Sequence, residues 1–145
     1  YDDSRGEFVF LKDMTSMDGI RDYIQRHPEE AKKSQISGPL LDGSFYLDMI
    51  IEAAQNNDTF SVNFARHIAR AAACVIANVA YTMDMQMVIV GGEYTNFGSL
   101  YLNEIREAVE RIPYWKAKVT TPFYTNSAMY GAFKFGADSI ISGLI

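Results

Sequence analysis

The run Met87-Val88-Ile89-Val90, closed by Gly91-Gly92, most limits what this chain can fold into. A short continuous apolar run ended by glycine reads as a strand buried on both faces. Helical periodicity lies on either side of it. Upstream, Phe60, Phe64, Ile68, Ala71, Val75 and Val79 recur at a spacing near 3.6, predicting one long helix from about Phe60 to Met83. Downstream, Leu102, Ile105, Ala108, Val109 and Ile112 predict a helix starting at Ser99 or Asn96 and stopped by Pro113. Lys116 to Thr121 alternates polar with apolar and β-branched residues and reads as a second strand. A final helix follows, opened within Thr125–Ser127 and running to about Ser142, with Met129, Phe133, Ala137 and Ile140 or Ile141 inside. Helix, strand, helix, strand, helix is the order of an α/β protein with a parallel pair joined by a crossover.

Before the long helix the signals are local. Thr15 or Ser16 caps a helix reaching about Arg26, with Ile20, Tyr23 and Ile24 as its apolar stripe. Pro28 starts a short helix through Lys33, and Ser37-Gly38-Pro39 reads as a turn. Phe45 to Ala54 is helical, Asn56-Asn57-Asp58 breaks it, and Asp58 or Thr59 caps the long helix. Asp2 to Lys12 is a strand or an irregular entry segment. Two strands do not make a stable sheet. More strands are therefore expected in the first 40 residues, in a further part of the protein, or from a partner chain.

At 145 residues and 48% apolar content, the chain fits a single domain, 1–145. Its net charge of −5 makes it a poor non-specific binder of nucleic acid. Lys116 and Lys118 beside Trp115 are the nearest thing to a basic cluster and read as a solvated strand edge. One cysteine, Cys74, allows no intrachain disulfide, so a cytoplasmic, soluble protein is expected. No apolar run reaches the roughly 18 to 20 residues of a membrane helix, and no signal peptide is visible. The chain opens on Tyr1 rather than Met, which hints at a piece of a larger protein.

Catalytic signatures are sparse. Gly91-Gly92 sits where open α/β sheets bind ligands, since glycine lets backbone N–H groups approach a phosphate or nucleoside; a tight strand-to-helix turn is the competing reading. His67 has Arg70 and Ala71 at its i+3 and i+4 positions, so it reads as a boundary histidine rather than a metal ligand. His27 reads as solvated and Cys74 as a small core residue. No nucleophile triad, paired-carboxylate motif or phosphate loop of the G-x-x-x-x-G-K type appears. The Tyr114-Trp115 and Phe123-Tyr124 pairs flank the second strand and are candidate interface residues.

From Phe45 onward the layout resembles the ROK family, named for repressors, open reading frames and kinases. Asp58 matches the family's helix break, Asn78 an Asn near the end of the long helix, and Asp84 the Asp before the strand. Val88-Ile89-Val90-Gly91-Gly92 matches the strand and glycines, and Ser127-Ala128-Met129-Tyr130-Gly131-Ala132 is similar to the start of the last helix. The resemblance implies the helix-rich C-terminal lobe of an actin-like ATPase (ribonuclease H-like) fold. It also exposes departures. The family's zinc-binding segment aligns with Asp3 to Lys12; Gly6, Leu11 and Ser16 fit. Asp3, Arg5 and Phe10 stand at the cysteine positions, and Lys12 stands where a Glu contacts the sugar. Glu93 replaces the third glycine after Gly91-Gly92. Arg and Phe cannot ligate zinc, and a lysine cannot accept hydrogen bonds from sugar hydroxyls.

The expectation is a non-enzymatic lobe of a ROK-like, sugar-responsive transcriptional regulator, with no cofactor and no metal. It would self-associate as a homodimer or higher oligomer and respond to a sugar or sugar-phosphate effector. DNA would be reached only through a domain outside this sequence. Gly91 and Gly92 form a degenerate nucleotide-type turn, and Lys12 marks the substituted sugar position. The alternatives are a lobe of a ROK-type sugar kinase and a diverged scaffold that binds nothing.

Overall fold

A computed structural model describes residues 10–112, 117–123 and 127–143. The first part is helical: α1 (Leu11–Met14), α2 (Met17–Arg26), α3 (Pro28–Lys33), α4 (Ser37–Asp42), α5 (Leu47–Gln55) and α6 (Thr59–Thr82). Strand β1 (Met87–Ile89) follows, then a 3₁₀ turn (Glu93–Phe97), α7 (Ser99–Glu110), β2 (Lys118–Thr120) and α8 (Ser127–Gly143). β1 and β2 pair in parallel, with Met87 opposite Lys118, Val88 opposite Val119 and Ile89 opposite Thr120. The expected parallel pair joined by a helix is therefore present. No further strand occurs among the described residues, and residues 10–40 are helices and turns.

The core lies between the helices, with Ile20, Ile50, Phe60, Phe64, Ile68 and Ile105 fully buried at its centre. Tyr23 joins α2 to α6, its ring centroid 5.6 Å from Phe60 and 5.2 Å from Phe64. Edge-on aromatic pairs at this spacing are favourable beyond the area they bury. Glu104 of α7 accepts from Arg70 at 2.6 Å and lies 3.8 Å from the Arg66 guanidinium, both on α6.

Helix ends are set by local chemistry. At the close of α5, Asn57 takes a left-handed φ of 60°. Asp58 N–H donates to the Ala53 carbonyl (2.9 Å) and Asn57 N–H to that of Ala54 (3.0 Å), a Schellman closure. Asp58 then caps α6 by accepting from Ser61 N–H at 2.9 Å. It is only 4% exposed. It also accepts from Ser61 Oγ (2.8 Å), Ser34 Oγ (3.0 Å) and Gln35 N–H (2.8 Å). Burial pushes its carboxyl pKa up, but these hydrogen bonds outweigh burial and hold it below the ordinary value. α6 closes in the same way as α5. Asp84 has φ 49°, and Met85 N–H donates to Ala80 at 2.9 Å.

Several expectations are corrected. Ser37-Gly38-Pro39 begins α4 instead of forming a turn, because proline is tolerated in a first helical turn, where its missing N–H has no partner to lose. Val75 and Val79 are 44% and 45% exposed, and the buried row of α6 runs through Ala65, Ala69, Ala72, Ala73 and Ala80. The small alanines, rather than the valines, are the side chains that this part of α6 buries. Cys74 lies on the exposed side. β1 is not buried on both faces: Met87 and Ile89 are 52% and 61% exposed while Val88 packs on the core. In α8, Met129, Phe133, Ile140 and Ile141 are exposed rather than inside, since no described element covers that helix. His27 is half-buried, with its ring centroid 4.2 Å from that of Tyr23, rather than freely solvated.

Candidate functional site

The turn ending β1 is built from backbone geometry. Val90 N–H donates to the Thr120 carbonyl at 2.8 Å and carries the parallel pairing one residue past the strand. Gly91 and Gly92 then emerge, both exposed, with Gly91 beside Pro122, just past the carboxyl end of β2. A crevice outside the carboxyl ends of parallel strands is where open α/β sheets place ligands. The two glycines differ. Gly91 has no left-handed φ, and a Cβ there would sit 3.4 Å from Pro122 Cγ, an ordinary contact. Gly92 has φ 100° and ψ 175°, a conformation essentially reserved to glycine. Its carbonyl accepts from Thr95 N–H (3.1 Å) and Thr95 Oγ (2.6 Å), which winds the 3₁₀ turn. Alanine at position 91 is therefore expected to be nearly neutral. Alanine at position 92 is expected to cost about 1 to 2 kcal/mol, measured as a loss of urea-unfolding stability.

Glu93 is the first residue of the 3₁₀ turn and is exposed. A carboxylate directly after the glycines opposes a phosphate on the same backbone, whereas α7, whose Gly98 N-cap supplies no side-chain cap, would favour one. The residues present thus fit a nucleotide phosphate less well than three glycines would.

Lys12 lies on α1, not on a strand or irregular segment. Its ammonium is exposed and sits 5.6 Å from the Phe10 ring centroid. α1 is held firmly. Thr15 Oγ donates to the Leu11 carbonyl (3.0 Å) and Ser16 Oγ to that of Asp13 (2.8 Å). Ser16 Oγ accepts from Gly19 N–H (3.1 Å), capping α2 as its sequence position predicts. A Cβ on Gly19 would meet the Asp13 and Met14 carbonyl oxygens at 2.2 and 2.4 Å, so the two helices touch backbone to backbone.

Beside α1 lies a cavity of about 330 Å³, lined by Asp13, Ser16, Asp22, Tyr23, Arg26 and His67 among others. Arg26 and Asp22 pair at 2.6 Å. The Tyr23 hydroxyl is pushed up to about 12 by burial, reinforced by Glu30 and opposed by Arg26. His67 packs its ring 5.0 Å from Tyr23, consistent with a boundary histidine. Among the described residues no three His, Cys, Asp or Glu are grouped to hold a metal. Of the residues that the resemblance places at the family's zinc cysteines, Phe10 offers no donor atom, and Asp3 and Arg5 lie outside the described residues. The donor set does not fit zinc, whose sites use Cys, His or carboxylate ligands. Tyr114, Trp115, Lys116 and Tyr124 also lie outside the described residues, while Phe123 is exposed.

One contact that sequence reasoning misses joins the two candidate segments. Tyr94 Oη, two residues past Gly92, donates to the Thr15 carbonyl, three residues past Lys12, at 2.8 Å. No spacing rule links positions 79 apart in the chain.

Among the described residues no helix is long and apolar enough to cross a membrane. No curated protein matches the chain. The family model that does match covers residues 12–140, nearly the whole sequence, and its actin-like ATPase fold agrees with the helix-rich α/β architecture and the strand–glycine turn: the chain belongs to the ROK family.

Proposed function

We propose that this chain is the C-terminal lobe of a ROK-like transcriptional regulator. It transmits the binding of a sugar or sugar-phosphate effector and takes part in self-association, without catalysis. The observation that carries the reading is that Lys12, which the resemblance places at the family's sugar-contacting Glu, is exposed on α1. A lysine has three donors and no acceptor, so it cannot take the hydrogen bonds that a carboxylate takes from sugar hydroxyls. An ammonium there suits an anionic effector such as a sugar phosphate. Glu93 after the glycines points the same way, because it weakens the case for a nucleotide phosphate at that turn.

On this reading the protein works in the cytoplasm as a homodimer or larger assembly, and reaches DNA through a domain outside this sequence. The exposed apolar side chains Val75, Val79, Met87 and Ile89 supply candidate association surface. The competing reading, a sugar kinase, draws support from Gly92, which keeps the positive-φ turn with open space where a Cβ would stand.

Thermal-shift measurements on the full-length protein discriminate the two. Hexose phosphates at about 100-fold over their dissociation constant are expected to stabilise it by about 2.7 kcal/mol, with ATP and magnesium ineffective. Stabilisation by ATP, together with phosphate transfer to a free hexose, would establish the kinase instead. A winged helix-turn-helix encoded upstream of Tyr1 supports the regulator, and an Asp-x-Gly-x-Thr phosphate loop supports the kinase.

A further inference from the structure

The 3₁₀ turn Glu93–Phe97 is bounded by two glycines with left-handed φ, Gly92 at 100° and Gly98 at 66°. Such residues absorb backbone rotation at low cost. Between them, three anchors hold the turn to different elements. Phe97 is buried in the core, its ring 6.4 Å from Phe64 of α6. The Asn96 carbonyl accepts from Gln55 Nε2 of α5 at 3.3 Å. Tyr94 Oη donates to the Thr15 carbonyl at the corner between α1 and α2. Phe97 and Asn96 fix the turn to the helical body, and Tyr94 reaches from it to the element that carries Lys12.

We propose that Tyr94 is a positioning residue: its hydroxyl couples the glycine turn at the end of β1 to the placement of α1, so that a change at either is felt at the other. The acceptor end is stiff. Thr15 sits in a corner where the Asp13 and Met14 carbonyls of α1 approach Gly19 of α2 so closely that not even a Cβ would fit between them. The donor end can adjust at Gly92, a positive-φ glycine two residues before Tyr94 and ahead of the Asn96 and Phe97 anchors that hold the far end of the turn. The hydroxyl stays protonated across the physiological range, since burial, with smaller contributions from Tyr101 and Glu93, pushes it up to about 12. It therefore remains a hydrogen-bond donor at neutral pH and needs no ionisation to act. The use of this link to pass an effector signal rests on the regulator reading; the link itself does not.

The test is hydrogen–deuterium exchange by mass spectrometry on the full-length protein, with no ligand added. Tyr94→Phe keeps the ring and removes the hydroxyl. Peptides covering Leu11–Gly19 and Gly92–Gly98 are expected to exchange about three- to tenfold faster together, while peptides of α6 and α7 around Phe64 and Ile105 keep their protection. A uniform loss of protection would reduce Tyr94 to a core packing residue and overturn the proposal, as would faster exchange confined to Gly92–Gly98. The second arm is a cycle with Gly92→Ala. That substitution is expected to speed exchange in Leu11–Gly19 when Tyr94 is present and to leave it unchanged when position 94 is Phe. Equal effects in both backgrounds would show that the two segments communicate without the hydroxyl and would sink the idea. Neither arm depends on an effector, so a failed effector screen and a failed coupling test are separate results.

Discussion

Asp58→Ala is expected to lower the unfolding free energy by about 3 kcal/mol, the largest loss from any single polar side chain described. Four donors converge on one buried carboxylate: Ser34 Oγ, Gln35 N–H, Ser61 N–H and Ser61 Oγ. Alanine uncaps α6 at Ser61 and leaves Ser34 Oγ and Gln35 N–H, in the segment joining α3 to α4, without their acceptor. Asp58→Asn keeps one oxygen and should lose about half as much. The wild-type contribution also depends on pH in a defined direction. The folded-state pKa lies below the ordinary 3.8. The contribution is therefore fully present above that value, and it is lost as pH falls through the lower folded-state value. Urea titrations at neutral pH and near pH 3 check both statements: the gap between wild type and Asp58→Ala should narrow on acidification. A gap independent of pH would mean that capping geometry, and not charge, dominates.

Gly19→Ala is expected to cost about 3 kcal/mol or more, although alanine is the better helix former. Placed on the existing backbone, its Cβ would lie 2.2 Å from one carbonyl oxygen and 2.4 Å from the next. Neither belongs to a side chain that can rotate away. α1 must lift off α2, and Lys12 and the Thr15 acceptor move with it. Gly38→Ala, on α4 with nothing within 4 Å, is the matched control and should be neutral or slightly stabilising. Chemical denaturation of the two variants side by side separates a steric effect from a propensity effect. If both behave alike, the close approach of α1 is not what Gly19 serves.

What the sequence made legible was what is local. Asp58 and Ser16 are caps because each finds its N–H partner three residues on, a distance fixed by helix geometry. The strand–Gly-Gly–helix–strand order is likewise short-range, and it led to the right parallel pair. The misreadings share one cause, that they depended on neighbours. Val75 and Val79 look like core by period, but it is the alanines on the adjoining stripe that are buried. Pro39 looks like a turn until its position in the first turn of α4 is known. Tyr94 carries no sequence signal at all, since its partner is the Thr15 backbone carbonyl, which every residue type has. The candidate site was half legible: Gly91 and Gly92 by the strand they end, Lys12 only by resemblance, and the bond between the two segments not at all.

The uneven wetting of β1 bears on what stability means for this chain. Val88 draws on the hydrophobic effect, while Met87 and Ile89 leave much of their apolar surface in water. Parallel sheets are ordinarily covered on both faces, so part of the free energy that this strand could contribute is conditional. It becomes available by mass action when that face is dried and is withdrawn when it is not. A surface that dried this face would raise the melting temperature above that of the chain alone, so the depth of the folded state depends on what the strand meets.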